Sequence, residues 1–201
     1  GAGVSSSTAF IFRLEPDGDL DPTFSGDGIQ TIISTGTVQS MALASDGKIV
    51  VSTYYGGGAF PSGYLTYVIR LNTDGSLDTS FDGDGKRLIN DVTSQTVHYP
   101  YGTAIQTDGK IVVAGRTSTN ITLFDIVMVR LNTNGSFDTS FDGDGVVRTQ
   151  LANQESQARS VLVQSDGKIV VGGGISQLFT TNMDPGILRY NSDGSLDTTY
   201  D

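Results

Sequence analysis

The side chains with the most chemistry in this sequence are acids. The run from Asn72 to Gly85 reads Asn-Thr-Asp-Gly-Ser-Leu-Asp-Thr-Ser-Phe-Asp-Gly-Asp-Gly, with carboxylates at 74, 78, 82 and 84. Carboxylates two and four residues apart can converge on Ca2+, which takes six to eight oxygen ligands. The other copies of the run argue against a metal: Asn134 stands where Asp74 does, the first copy begins Glu15-Pro16, and no Glu closes the loop. Asx and Asp-Gly turns use the same residues without an ion, so neither a metal nor a cofactor is expected. The recurring cations are Arg13, Arg70, Arg130 and Arg189, each among apolar residues and each followed eight residues later by Asp21, Asp78, Asp138 or Asp197. A guanidinium in such surroundings needs a carboxylate or carbonyl partner. The spacing therefore predicts structural Arg–Asp pairs within or between units.

Catalytic arrangements are scarce. There is no Cys, which removes thiol catalysis, thiolate metal sites and disulfides, and His98 is the only histidine. Ser and Asp are plentiful, but no Gly-x-Ser-x-Gly elbow accompanies His98. Acid pairs of the kind used in glycoside hydrolysis arise by chance among twenty Asp, nearly all of them at repeated turn positions. Gly172-Gly173-Gly174 lacks the Lys-Ser/Thr and the helix of a phosphate loop and reads as close packing in a strand. No catalytic residue is assigned, and the chain is read as a non-enzyme.

Binding capacity is sought where the copies differ, since repeated residues serve a shared scaffold. Those segments carry Tyr54, Tyr55 and Phe60, then His98, Tyr99 and Tyr101, then Phe124 and Phe179. Exposed aromatics stack on sugars or anchor protein partners; equally, they can plug the ends of sheets. Asn120-Ile121-Thr122 matches a glycosylation sequon and is given little weight.

The elements that must hold these residues are repeats. Asp-Gly-Lys-Ile-Val-Val starts at Asp46, Asp108 and Asp166, and a second marker puts an aromatic ring at Phe24, Phe81, Phe141 and Tyr200, both with a period near sixty residues. The chain divides into a partial unit 1–28 and units 29–85, 86–145 and 146–201, forming one repeat domain. Each unit shows four short β-type runs and no helical periodicity. The first runs are Ile29–Ile33, Lys86–Ile89 and Val146–Leu151. The second cover Ser40–Ser45, Gly102–Thr107 and Arg159–Ser165 and enter an Asp-Gly turn, expected to be a two-residue type I′ hairpin. The third carry Ile-Val-Val, apolar on both faces, and so need cover on both sides. The fourth precede the repeated Arg. The expected architecture is all-β: four-stranded antiparallel sheets stacked as a β-propeller or partial propeller. A β-solenoid is less suited to antiparallel hairpins. Thirteen strands make three and a half units, an open arc with apolar faces at its ends.

Asp-Gly-Lys-Ile-Val-Val-Ala-Gly at 108–115 and Val-Ile-Arg-Leu-Asn-Thr-Asp-Gly-Ser-Leu-Asp-Thr-Ser-Phe at 68–81 resemble the delta-60 repeat of large secreted or surface-anchored bacterial proteins, and the match covers nearly all of the chain. The resemblance implies an extracellular or cell-surface, propeller-like module beside adhesive or structural domains, with no catalytic set. Where the family has Phe-Gly-x-x-Gly, this chain reads Phe-Asp-Gly-Asp-Gly at 81–85 and 141–145.

The net charge of −10 supplies no basic surface for nucleic acid or anionic membranes. No apolar run reaches the roughly 18 residues of a spanning helix, and no signal peptide opens the sequence. The expectation is a non-catalytic surface module for assembly or adhesion, whose partner is itself or adjacent domains of a surface protein or fibre. A glycan or a protein on another cell is a further candidate partner. A lectin-like propeller using the aromatic segments is the alternative, and a glycoside hydrolase the third class. Reading Tyr200-Asp201 into Gly1-Ala2-Gly3-Val4 mimics 141–146, which suggests serial assembly.

Overall fold

The computed structural model describes residues 8–33, 36–56, 64–89, 97–118, 124–151, 154–177 and 183–200. Among them are thirteen strands and no helix: β1 (Thr8–Phe12), β2 (Ile29–Ile33), β3 (Thr37–Leu43), β4 (Ile49–Gly56), β5 (Tyr64–Leu71), β6 (Lys86–Leu88), β7 (Val97–Ile105), β8 (Ile111–Ser118), β9 (Asp125–Leu131), β10 (Val146–Thr149), β11 (Gln154–Val163), β12 (Ile169–Gln177) and β13 (Asp184–Tyr190). They pair antiparallel into four sheets, β1-β2, β3-β4-β5-β6, β7-β8-β9-β10 and β11-β12-β13. Successive sheets pack face to face, with β3, β7 and β11 in contact in turn. This is the partial propeller expected from the repeats. The sheets are out of phase with the units as divided above: Ile29–Ile33 pairs with β1, and Lys86–Leu88 with β5, so each unit's first run becomes the outer strand of the preceding sheet.

The two-faced Ile-Val-Val strands explain the stacking. Along β4, Val51 joins Ile11, Phe24, Ile69 and Leu71 in one cluster, while Val50 joins Val68, Phe81, Ile111 and Val129 in the next. A third cluster, around Val112, Met128, Phe141, Val171 and Tyr190, fills the last interface. Strand alternation sends neighbouring residues to opposite faces, so each sheet contributes to two interfaces. Phe24, Phe81 and Phe141 are fully buried, and burying a side chain of this size contributes roughly 1.5–3 kcal/mol.

The Asp-Gly turns differ from expectation. Gly47, Gly109 and Gly167 have φ of +81°, +82° and +82°, whereas Asp46, Asp108 and Asp166 are absent from the left-handed region that type I′ requires at both positions. Gly47 N–H donates to Ala44 O, and Ala44 N–H to Lys48 O. The loop therefore has three residues, a type I turn closed by a left-handed Gly. Asp46 Oδ1 accepts Lys48 N–H, fixing the turn from its side chain.

Each inner strand carries a β-bulge at the same place, between Val38 and Ser40, Pro100 and Gly102, and Ala158 and Ser160. The chain opposite comes very close there. A Cβ on Gly173 would run into the Gln157 carbonyl, and one on Gly115 into that of Tyr99. The extra residues, Gln39, Tyr101 and Arg159, are re-aimed by the bulge.

Candidate functional site

Two assemblies of arginine and aromatic rings occupy opposite ends of the sheets. The first is repeated. Asp21, Asp78, Asp138 and Asp197 accept from Nε of Arg13, Arg70, Arg130 and Arg189 at 2.6, 2.6, 2.6 and 2.8 Å. The side-chain partners are all within one copy. The link between copies is made to backbone: Arg13, Arg70 and Arg130 donate through Nη1 to the carbonyls of Thr73, Thr133 and Ser192 in the following sheet's turn. Each guanidinium also lies over its own copy's aromatic ring, at 5.0, 4.8, 4.3 and 4.4 Å from the centroids of Phe24, Phe81, Phe141 and Tyr200.

The residue after each Phe completes the joint. Ser25, Asp82 and Asp142 are the three non-glycine residues with positive φ among those described, at 56°, 52° and 53°. That conformation aims their N–H groups at Asp74 O, Asn134 O and Asp193 O of the next turn, at 2.7, 2.8 and 2.9 Å. Three copies in the same unfavourable region, each repaid by a bond across a joint, mark a built feature.

Charge is concentrated on one carboxylate per copy. Lys48, Lys110 and Lys168 bring a second cation to Asp78, Asp138 and Asp197 at 2.8, 3.0 and 2.7 Å. Burial of Asp78 and Asp138 opposes ionisation, but hydrogen bonds from Lys48, Ser80 and Arg70, and from Ser140 and Lys110 together with the Arg130 charge, outweigh it. Lys168 and Thr199 do the same for Asp197. All three are held well below the usual carboxylate range and stay ionised at neutral pH. Their oxygens are occupied, and among the described residues no group of three or more His, Cys, Asp or Glu could hold a metal ion. An open cleft of about 530 Å3 between the Asp46 and Asp108 turns is lined in part by members of this network, Lys48, Arg70 and Ser80.

The second assembly is not repeated. Tyr99 lies opposite Arg116 in the β7–β8 register, and the Arg116 guanidinium stands 3.8, 4.9 and 5.9 Å from the ring centroids of Phe124, Tyr99 and Tyr101. Tyr54 of β4 packs on Tyr99 at 4.7 Å, and Arg159 of β11 lies over Tyr101 at 4.4 Å. Three sheets thus meet in one cluster. Arg116 Nε is buried with no hydrogen-bond partner, and no ion pair is formed by Arg116 or Arg159 among the described residues. Asp125, next to Phe124, is the one acid among the described residues whose pKa is displaced upward: burial raises it and the Arg148 charge opposes. A cation caged by rings without a carboxylate is suited to an anionic or ring-shaped ligand.

Of the aromatic residues singled out in the sequence, Tyr54, Tyr99, Tyr101 and Phe124 come together. Tyr55 follows Tyr54 and falls on the other face of β4. Phe60, Phe179 and the side chain of His98 lie outside the described residues. Sequence reasoning missed Arg116, Arg159 and the three lysines. A signal existed for Arg116: by register it occupies the position of Tyr54 and Gly174, so the copies differ there.

The chain matches the family described as a domain of unknown function (DUF5122) beta-propeller over residues 1–24, 44–81, 106–141 and 164–200. Those four stretches make up two-thirds of the sequence, and the chain belongs to that β-propeller family. No curated protein matches it.

Proposed function

We propose that this member of the DUF5122 β-propeller family is a non-catalytic repeat module acting outside the cell, as a scaffold for assembly or adhesion. Its sixty-residue unit is read as the delta-60 type, which places it in a large bacterial surface protein or fibre. One observation carries the non-catalytic reading: the repeated acids and bases are spent on one another. Asp78 gives one oxygen to Ser80 and the other to Arg70 and Lys48, and Asp138 is bound in the same way. A carboxylate held ionised by two cations is a poor general acid.

The Arg116 cluster favours a second reading, a lectin-like module that takes an acidic glycan across Tyr99 and Tyr101. A glycan array that includes uronic and sialic acids, with the Tyr99→Ala/Tyr101→Ala double variant alongside, separates the two. The scaffold reading expects no glycan signal dependent on those rings. Binding lost in the variant moves the conclusion to the lectin, and turnover of any polysaccharide on a broad panel removes the non-catalytic reading.

A further inference from the structure

Three joints between sheets have the same parts. Each sheet has a forward face, carrying the Arg Nη1 and the buried ring, and a rear face, carrying the Gly turn that seats on them. Gly75, Gly135 and Gly194 sit so close to the preceding copy's ring or its neighbours that a Cβ would lie 2.9 Å from Phe24, 2.9 Å from Asp82 N and 2.7 Å from Val147. Two half-joints remain. At Gly18, with φ of +96° like the others, nothing lies within 4 Å of a Cβ. At the other end Tyr200 is 38% exposed where its three counterparts are 0%. Arg189 bonds Asp197 through Nε, and its Nη1 forms no hydrogen bond among the described residues.

The faces around these half-joints are apolar and correspond to surfaces buried elsewhere. Ile187 holds the place of Val68 and Met128, which are 0% exposed, and is itself 62% exposed; Leu162 beside it on the forward face is 54% exposed. On the rear face, Phe12 holds the place of Ile69 and Val129, at 0% and 1%, and is 54% exposed. Charge also fits: hydrogen bonds from Ser76 and Ser195 hold Asp74 and Asp193 below the usual carboxylate range, the Arg13 and Arg130 charges across their joints add a smaller lowering, and Asp17 occupies the same place in the free turn.

We propose that the forward face of β11–β13 receives the rear face of β1–β2 from a second copy of this chain, with the 15–19 turn of one copy seated on Tyr200 and Arg189 of the other. The proposal rests on the assembly reading above and continues an interface the molecule already makes three times. Such a contact is heterologous, since two different surfaces meet, and it propagates into a ring or a filament.

The test uses two single variants at exposed positions, Ile187→Asp on the forward face and Phe12→Asp on the rear face, with circular dichroism confirming that both fold. Light scattering coupled to size exclusion is run from micromolar to millimolar chain. Wild type is expected to grow in mass with concentration, and each variant alone to stay monomeric. An equimolar mixture of the two should give a heterodimer that grows no further, because one intact forward face meets one intact rear face. Gly18→Val should behave as Phe12→Asp does and pair with Ile187→Asp in the same way. Association that persists in both single variants, or a mixture that stays monomeric, overturns these faces while leaving self-assembly standing. A wild-type chain that is monomeric at every concentration overturns the self-association itself.

Discussion

Arginine over an aromatic ring occurs at both ends of these sheets, with opposite surroundings. At the repeated joint, Arg130 covers Phe141, bonds Asp138, and reaches the Ser192 carbonyl of the next sheet. In the single cluster, Arg116 covers Phe124 at a shorter distance and bonds no acid among the described residues. The difference separates two duties of one chemical pair. A guanidinium that bonds through each of its three nitrogens fixes geometry: the ion pair sets which turn meets which ring, while the buried Phe supplies most of the favourable free energy. Buried ion pairs add little net stability over apolar replacements, yet losing one partner is costly. A guanidinium held only by rings is positioned but not neutralised, and in a chain of net charge −10 that is a local reserve of positive charge.

The largest expected effect breaks the paired side. Asp138→Ala leaves Arg130, 2.6 Å from the lost carboxylate, without a counter-charge in a mostly buried site, and leaves Lys110 with only the exposed Asp108 at 3.8 Å. Unfolding in urea should show a loss of about 3–5 kcal/mol. A loss under about 1 kcal/mol would mean that the ring alone organises the joint.

Acid gives the next effect in size. Asp78, Asp138 and Asp197 have folded pKa values below the unfolded value of about 4. A depressed carboxylate contributes stability that is present above the unfolded pKa and is lost as pH falls through the folded one. The thermal midpoint should therefore be flat through neutral pH and fall progressively below about pH 4, with a shallower fall in Asp138→Ala. Asp125, displaced upward, opposes this slope in part. An acid limb identical in wild type and variant would detach these carboxylates from the joints.

How much of this was legible depends on how far apart in sequence the partners lie. Arg70 and Asp78 are eight residues apart and repeat, so the pair could be read from spacing. The carbonyl of Thr133, sixty-three residues from Arg70, carries no signal in residue type, because any residue supplies a carbonyl. In the sequence Lys48 stands only as the first residue of its Ile-Val-Val strand; its bond to Asp78, thirty residues on, follows only from the register that sets β4 beside β5. The type I′ expectation failed because Asp-Gly fits both a two-residue and a three-residue loop, and the dipeptide alone cannot choose. Tyr99, Tyr101 and Phe124 stood out by breaking the repeat. Arg116 broke it too, but Ala-Gly-Arg-Thr reads as the end of an ordinary strand until the bulge at Pro100 to Gly102 aims Tyr101 at it.

The smallest expected change in stability falls on the unpaired side. Arg116→Ala removes cation–ring contacts and no hydrogen bond made among the described residues, so its cost should be about 0.5–2 kcal/mol, below that of Asp138→Ala although both sites are partly or fully buried. Urea unfolding of both variants under one condition makes the comparison direct. Arg116→Gln should recover part of the packing, since the stem fills the same space between Tyr99 and Phe124 without the charge. If Arg116→Ala instead matches Asp138→Ala, the cluster is as structural as the joints, and the reserve of positive charge has a partner within the fold. If the cost is small, Arg116 can be changed without loss of the scaffold, and any weakening of an anionic ligand in the variant reads directly on that charge.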